Sequence, residues 1–250
     1  MNDTLPTPPV ISVIIAAFDE EEFICQTIES VQKSAERLRR ERNVSIEIIV
    51  VDNHSKDRTN EMATACGARV VYEPENNIAK ARNIGALLAQ GDFLAFVDGR
   101  MIVSEDLFVG IDQNLLDPGV VGGGTREEML IPSSREQIYV WGKKLIRFVC
   151  GGFSGIFHCR RKDFVELRGF DENLHLGEKL EFHRRLRRFG AQRNQTIRNS
   201  PTGSVMVLSR KLRTHGLIPV AKTTSRLIFN PDKKLRDRKT AWNAWYEKKK

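Results

Sequence analysis

An α/β fold built on a mostly parallel sheet flanked by helices is what this sequence predicts, and three observations carry the prediction. Short β-branched apolar runs without alternation recur at 10–17 (VISVIIAA), 47–51 (EIIVV) and 93–97 (FLAFV), as expected of strands covered on both faces. Between them lie stretches whose apolar residues return at helical spacing. Strands alternating with helices in this way imply right-handed crossovers and a parallel sheet.

Each element has a local reason. After the first strand, Asp19 is expected to cap a helix, and Glu20 to Glu22 suit the positive end of its dipole. Phe23, Ile24, Ile28, Val31, Ala35 and Leu38 form its apolar stripe. The second strand ends at Asp52, and a helix over 57–66 stops at Gly67. ARVVYE is a third strand, 78–89 a third helix closed by Gly91, and the fourth strand runs from Phe93 to Val97. After Gly110 the pattern loosens, and the glycines at 122–124 and 151, 152 and 155 read as hinges or close-approach loops. GFDENLHLGEKLEFHRRLRRFG reads as a loop, then a helix from about Glu178 to Phe189 ended by Gly190. The division that follows is a loose lead-in at 1–9, two halves of one domain at 10–110 and 111–215, and an extension at 216–250. Ligands of such sheets gather at the carboxyl ends of strands, which makes Phe18, Asp52 and Asp98 candidates for one crevice.

Composition narrows the class. With 250 residues, 40% of them hydrophobic, the chain can bury a sizeable core. There is neither a charged start leading into a long apolar stretch nor a run of 18 apolar residues, so a soluble, cytoplasmic protein is expected. Cys25, Cys66, Cys150 and Cys159 are widely spaced without a CxxC pair, and are read as free, mostly buried thiols. The net charge of +8 is concentrated at one end: from Arg210 to Lys250 there are 13 Lys or Arg against 3 acidic residues, leaving 27 against 29 elsewhere. Such a tail could make a peripheral contact with anionic lipid at the inner membrane face, or could be a solvated charged segment. Nucleic acid is not expected as a partner, because only Phe229, Trp242, Trp245 and Tyr246 interleave the charge and no binding motif accompanies it.

The segments VISVIIAAFDEEE, IEIIVVDNHSKDRT, NNIAKARNIGALLAQGDFLAFVDGR and GFDENLHLGEKLEFHRRLRRFG, in that order, resemble the family 2 inverting glycosyltransferases of GT-A (Rossmann-like) fold. The resemblance covers about residues 10–215. It implies a nucleotide-sugar donor, a UDP-sugar foremost, and a glycan, lipid-linked or small-molecule acceptor. Ala17, Phe18 and Glu20 would line the nucleotide pocket, and Asp52 would read the uracil or ribose. Arg82 and Asn83, with Lys80 nearby, would hold the nucleotide and diphosphate. Asp98 would begin the family's DxD site, where two carboxylates hold Mg2+ or Mn2+. His215 stands where some members keep a histidine touching metal or diphosphate, although a lone surface histidine is the more common outcome. GGFSGIF at 151–157 resembles the acceptor-side loop, and a packed glycine turn explains it as well.

The departures from the family pattern carry chemistry too. A nucleotide sugar is polyanionic and its leaving group departs with more negative charge, so the site needs cationic or metal charge there. The acceptor hydroxyl must lose a proton to a nearby base. Here the second acid of DxD is Arg100, and the aspartate of the family's ED pair is Lys179. An active enzyme with Arg100 supplying part of a metal's charge is one reading, since a guanidinium binds phosphate oxygens in bidentate fashion. Divalent metal dependence should then be weak or absent, with Glu178 as base and Glu181 in reserve. The other reading is a degenerate protein that binds a nucleotide or partner without transfer.

Overall fold

The computed structural model describes residues 10–128, 155–175 and 177–208. At its centre is β1 (Ile11–Ala17), buried at all seven positions because helices cover both its faces. Ile11, Val13, Ile15 and Ala17 enter one apolar cluster, while Ile14 and Ala16 enter the other. That two-sided burial is the reason the strand reads as an unbroken apolar run.

Parallel neighbours β2 (Ile46–Asp52) and β4 (Phe93–Asp98) flank β1, and β3 (Arg69–Tyr72) lies outside β2. The crossovers contain α1 (Ile24–Arg42), α2 (Thr59–Ala65) and α3 (Ile78–Leu88). Asn77 caps α3, its side chain accepting from the amides of Ala79 and Lys80. Gly85 lets α3 press onto the sheet: a Cβ there would stand 2.4 Å from Ile14 Cγ2.

Beyond β4 the chain adds β5 (Met101–Val103), α4 (Leu107–Leu116), β6 (Val120–Gly123), β7 (Arg126–Glu128), β8 (Phe157–Arg160), α5 (Arg161–Glu166), α6 (Glu178–Ala191), β9 (Thr196–Ile197) and β10 (Ser204–Val207). The main sheet has the order β3-β2-β1-β4-β8-β6-β9, with β8 antiparallel to both β4 and β6. A three-stranded sheet, β5-β10-β7, stands beside it. Phe96, Phe157, Phe164 and Phe170 interlock with Phe182 of α6, with contacting ring centroids 5.0–6.3 Å apart.

Three local expectations are corrected. Asp19 does not cap α1, which begins at Ile24 without a side-chain cap; at φ 51° its carboxylate instead accepts from the Lys56 amide at 2.8 Å, tying two strand-end loops together. Gly190 does not end α6, which runs on to Ala191; glycine is needed there because a Cβ would meet Val121 Cγ1 at 2.7 Å. Cys25 and Cys66 are not free thiols but form a disulfide, with Cα atoms 5.9 Å apart. The first turn of α1 and the C-terminus of α2 lie side by side, a proximity hidden by 41 residues of sequence separation. Cys159 is free and buried, while Cys150 lies outside the described residues. Among the described residues no helix is long and apolar enough to cross a membrane. The lead-in at 1–9 and the basic extension also lie outside them.

Candidate active site

Sheet register assembles the site. Ala17 pairs with Asp52 on one side of β1, and Ala16 pairs with Asp98 on the other. The two aspartates therefore flank the carboxyl end of β1, about 10 Å apart at the usual strand spacing. Strand order reverses between β1 and β4, and that switch point is where open α/β sheets bind ligands.

Gly99, between Asp98 and Arg100, is part of this construction. Its amide donates to Ala16 O at 3.1 Å, its carbonyl accepts from Thr27 Oγ1 at 3.0 Å, and a Cβ would stand 2.9 Å from that of Ala17. Glycine thus allows the chain leaving β4 to cross closely over the end of β1. Sequence reasoning passed over it, although a glycine directly after a strand-end aspartate was the available signal.

Asp98 anchors a chain of four charged side chains. Arg82, reaching from α3, donates Nη2 to Asp98 Oδ1 at 2.6 Å and Nη1 to Glu178 Oε1. Lys179 donates its Nζ to both Asp98 oxygens, each at 3.0 Å. Glu178 and Lys179 occupy the first turn of α6, so the positive end of that helix's dipole lies within one side-chain length of Asp98. Burial alone would raise Asp98, but the Lys179 ammonium and the Arg82 guanidinium outweigh it and hold the carboxyl well below the usual carboxylate range. Burial lowers Lys179, and neighbouring Arg82 lowers it further, against the pull of Asp98 and Glu178. For Arg82, burial is outweighed by Asp98 and Glu178, leaving it above its ordinary value. Arg82 is only 3% exposed, so the cluster is an internal ion-pair network rather than a surface decoration.

The remaining predicted residues fall around this network in different ways. Arg100 lies 3.7 Å from Glu20 Oε1, placing that pair at the rim beside Asp98. Ala17 is buried and Phe18 half-buried at the same strand end. Asp52 is 3% exposed and spends its oxygens on the local turn, accepting from the Ser55 amide at 2.9 Å and Asn60 Nδ2 at 3.3 Å. Asn83 clamps the loop before α6, donating to Phe170 O and Glu172 Oε1 and accepting from the Phe170 amide, each at 2.9 Å. Lys80 is bound by Glu75 at 3.0 Å and Glu73 at 3.3 Å. Glu181 is gripped by Arg185, with Nε to Oε1 at 2.6 Å and Nη2 to Oε2 at 2.7 Å. His215 lies outside the described residues. Lys179, which as a motif position reads as a lost acid, is thus the terminal cation of the network, paired with Asp98.

A divalent cation fits these residues poorly. Hard cations are held by several oxygens, usually from more than one carboxylate. Asp98 is a single carboxylate whose oxygens both already face cations, and Arg100 stands where the second acid would be. Among the described residues no group of three or more His, Cys, Asp or Glu side chains is placed to hold a metal.

Comparison with known proteins agrees with this architecture. Residues 12–111 match the model of the family described as glycosyl transferase family 2. An uncharacterized glycosyltransferase of Bacillus subtilis strain 168, EpsJ, is 32% identical over 141 residues, which are 53% of this chain and 37% of the relative. The chain spans about a third of the length of the curated relatives it matches. Among solved structures, a mannosyltransferase from Pyrobaculum calidifontis in complex with GDP-Man and Mn2+ superposes with TM-score 0.62 at 16% identity, covering 82% of this chain and 59% of that one. Glucosyl-3-phosphoglycerate synthase from Mycobacterium tuberculosis, in complex with Mn2+, UDP and glucosyl-3-phosphoglycerate, gives TM-score 0.57 at 20% identity over 88% of this chain and 77% of that one. Family match, curated relative and fold point the same way: residues 12–111 are similar to the family 2 glycosyltransferases, and the chain has the GT-A fold of its structural neighbours.

Proposed function

We propose that the protein transfers a sugar from a nucleotide-sugar donor, a UDP-sugar, to an acceptor hydroxyl with inversion and with little dependence on metal. The observation that carries this reading is the Glu178–Arg82–Asp98–Lys179 network at the carboxyl ends of β1 and β4. Its fixed cations would stabilise the charge that builds up on a diphosphate leaving group bound there. Transfer forms the bond from acceptor oxygen to the sugar's anomeric carbon and breaks that carbon's bond to phosphate oxygen. The nucleoside diphosphate departs against the cations, and the acceptor proton passes to a carboxylate. Glu178 is assigned that role: Oε1 is held by Arg82, which fixes the carboxylate and leaves Oε2 to accept the proton. The acceptor is a glycan, a lipid-linked sugar or a small molecule, and the basic extension would bring the protein to an anionic membrane surface.

The test is release of nucleoside diphosphate from UDP- and GDP-sugars by the purified protein, with and without acceptor extracts. Turnover that falls at least a hundredfold in Glu178→Gln supports the reading, because general-base catalysis supplies about that much or more. Binding without turnover of any donor would favour the second reading, a nucleotide-binding protein that does not transfer. One observation speaks for that alternative: Asp98, Glu178 and Glu181 are each already paired with cations.

A further inference from the structure

We propose that Lys179 is the resident counter-cation of this site, its ammonium occupying Asp98 in the place of a divalent metal and meeting the donor's diphosphate directly. The inference rests on the nucleotide-sugar reading above and says which residue replaces the metal. It differs from the expectation drawn from sequence, which gave that work to Arg100.

Geometry separates the two basic residues. Lys179 Nζ is 3.0 Å from each oxygen of Asp98, a bidentate approach of the kind a cation makes to a carboxylate. Arg100 Nη1 lies 3.7 Å from Glu20 Oε1. An ammonium has three N–H donors. Two are used on Asp98, and among the described residues Lys179 bonds to nothing else, so the third remains for a ligand oxygen. The side chain is 16% exposed, so it is not sealed in the core.

Charge bookkeeping gives the same result. The four side chains of the network sum to zero without a metal, Asp98 and Glu178 against Arg82 and Lys179. Replacing an acid in each motif by a base, Arg100 in one and Lys179 in the other, removes the negative charge that would attract a metal. Lys179 then supplies a fixed cation against the carboxylate that remains. Arg82, bonded to Asp98 Oδ1 from the other side, adds a second positive charge that any entering divalent ion would have to approach. The first turn of α6 contributes its dipole in the same sense.

The experiment measures UDP and GDP binding by calorimetry in EDTA and in Mn2+, together with Mn2+ binding alone by electron paramagnetic resonance. The full chain is compared with Lys179→Ala, Lys179→Arg and Lys179→Asp, each checked for a cooperative thermal transition. The unsubstituted protein should bind UDP equally in both buffers and take up no Mn2+. Lys179→Ala should lose about tenfold or more in EDTA, the scale of one charge-assisted contact. Lys179→Arg should keep most of the binding in EDTA, and Lys179→Asp should bind Mn2+ and require it for UDP. UDP binding by the unsubstituted protein that EDTA abolishes and Mn2+ restores would overturn the proposal while leaving the donor reading intact. So would a folded Lys179→Ala that binds UDP in EDTA undiminished. Absence of UDP and GDP binding in both buffers would overturn the donor reading and the role of Lys179 together.

Discussion

Removing the Arg82 guanidinium should cost far more than its surface counterparts. Arg82→Met keeps most of the side-chain volume but deletes the charge that joins Asp98 to Glu178. Asp98 would keep Lys179, whereas Glu178, itself only 7% exposed, would lose the partner of its Oε1. Leaving one member of a buried pair uncompensated costs about 3–5 kcal/mol. For a domain of this size each kcal/mol moves Tm by about 2–4 °C, so a fall of roughly 6–20 °C is expected. Arg58→Ala is the control: its partner Glu61 is 72% exposed and it is 70% exposed itself, so Tm should move by no more than about 2 °C. Thermal unfolding followed by circular dichroism reads both. Arg82→Met with Glu178→Gln should recover part of the loss, because the unpaired charge is gone. A drop in Arg82→Met no larger than in Arg58→Ala, or no recovery in the double variant, would refute the view that the network is a buried, mutually dependent unit.

Two further outcomes follow from groups away from the site. Burial holds His158 neutral, with its pKa pushed down to about 3 from 6.5, so the unfolded chain binds more protons between those values and stability must fall as pH drops below 6.5. Roughly 2–3 kcal/mol should be lost by about pH 4.5, and His158→Gln should show a flatter profile by that amount; identical slopes would contradict the burial argument. The Cys25–Cys66 bridge closes a loop with a sequence separation of 41, which corresponds to about 4 kcal/mol of unfolded-state entropy. A linked peptide should appear in a non-reducing mass map, and reductant should lower Tm by roughly 8–16 °C; alkylation of both thiols without reductant would remove the bridge from the account.

The cysteines and Asp19 show how local evidence misleads when the deciding neighbour is remote in sequence. Asp19 has the residue type and position of a helix cap, yet the loop after β2 offers it the Lys56 amide, and that contact is invisible along the chain. Spacing alone gave no reason to pair Cys25 with Cys66, because the packing of α1 against α2 is what brings them together. The family resemblance implies a ligand-binding role for Asn83 and Lys80, but their contacts with neighbouring loops depend on where the 170–172 and 73–75 segments run.

What the sequence determined by itself is the frame: the two-sided apolar strands, their alternation with helices, and the strand-end acids Asp52 and Asp98. These depend on period and burial, which are written locally in the order of residues. What only the tertiary structure decided is the partnership of the charges. Lys179 stands 81 residues from Asp98, and as a motif position it reads as a lost acid. Folding places the first turn of α6 over the end of β4, and ion pairs fall off too steeply with distance to exist before that contact is made. The same residue then becomes the cation that completes Asp98.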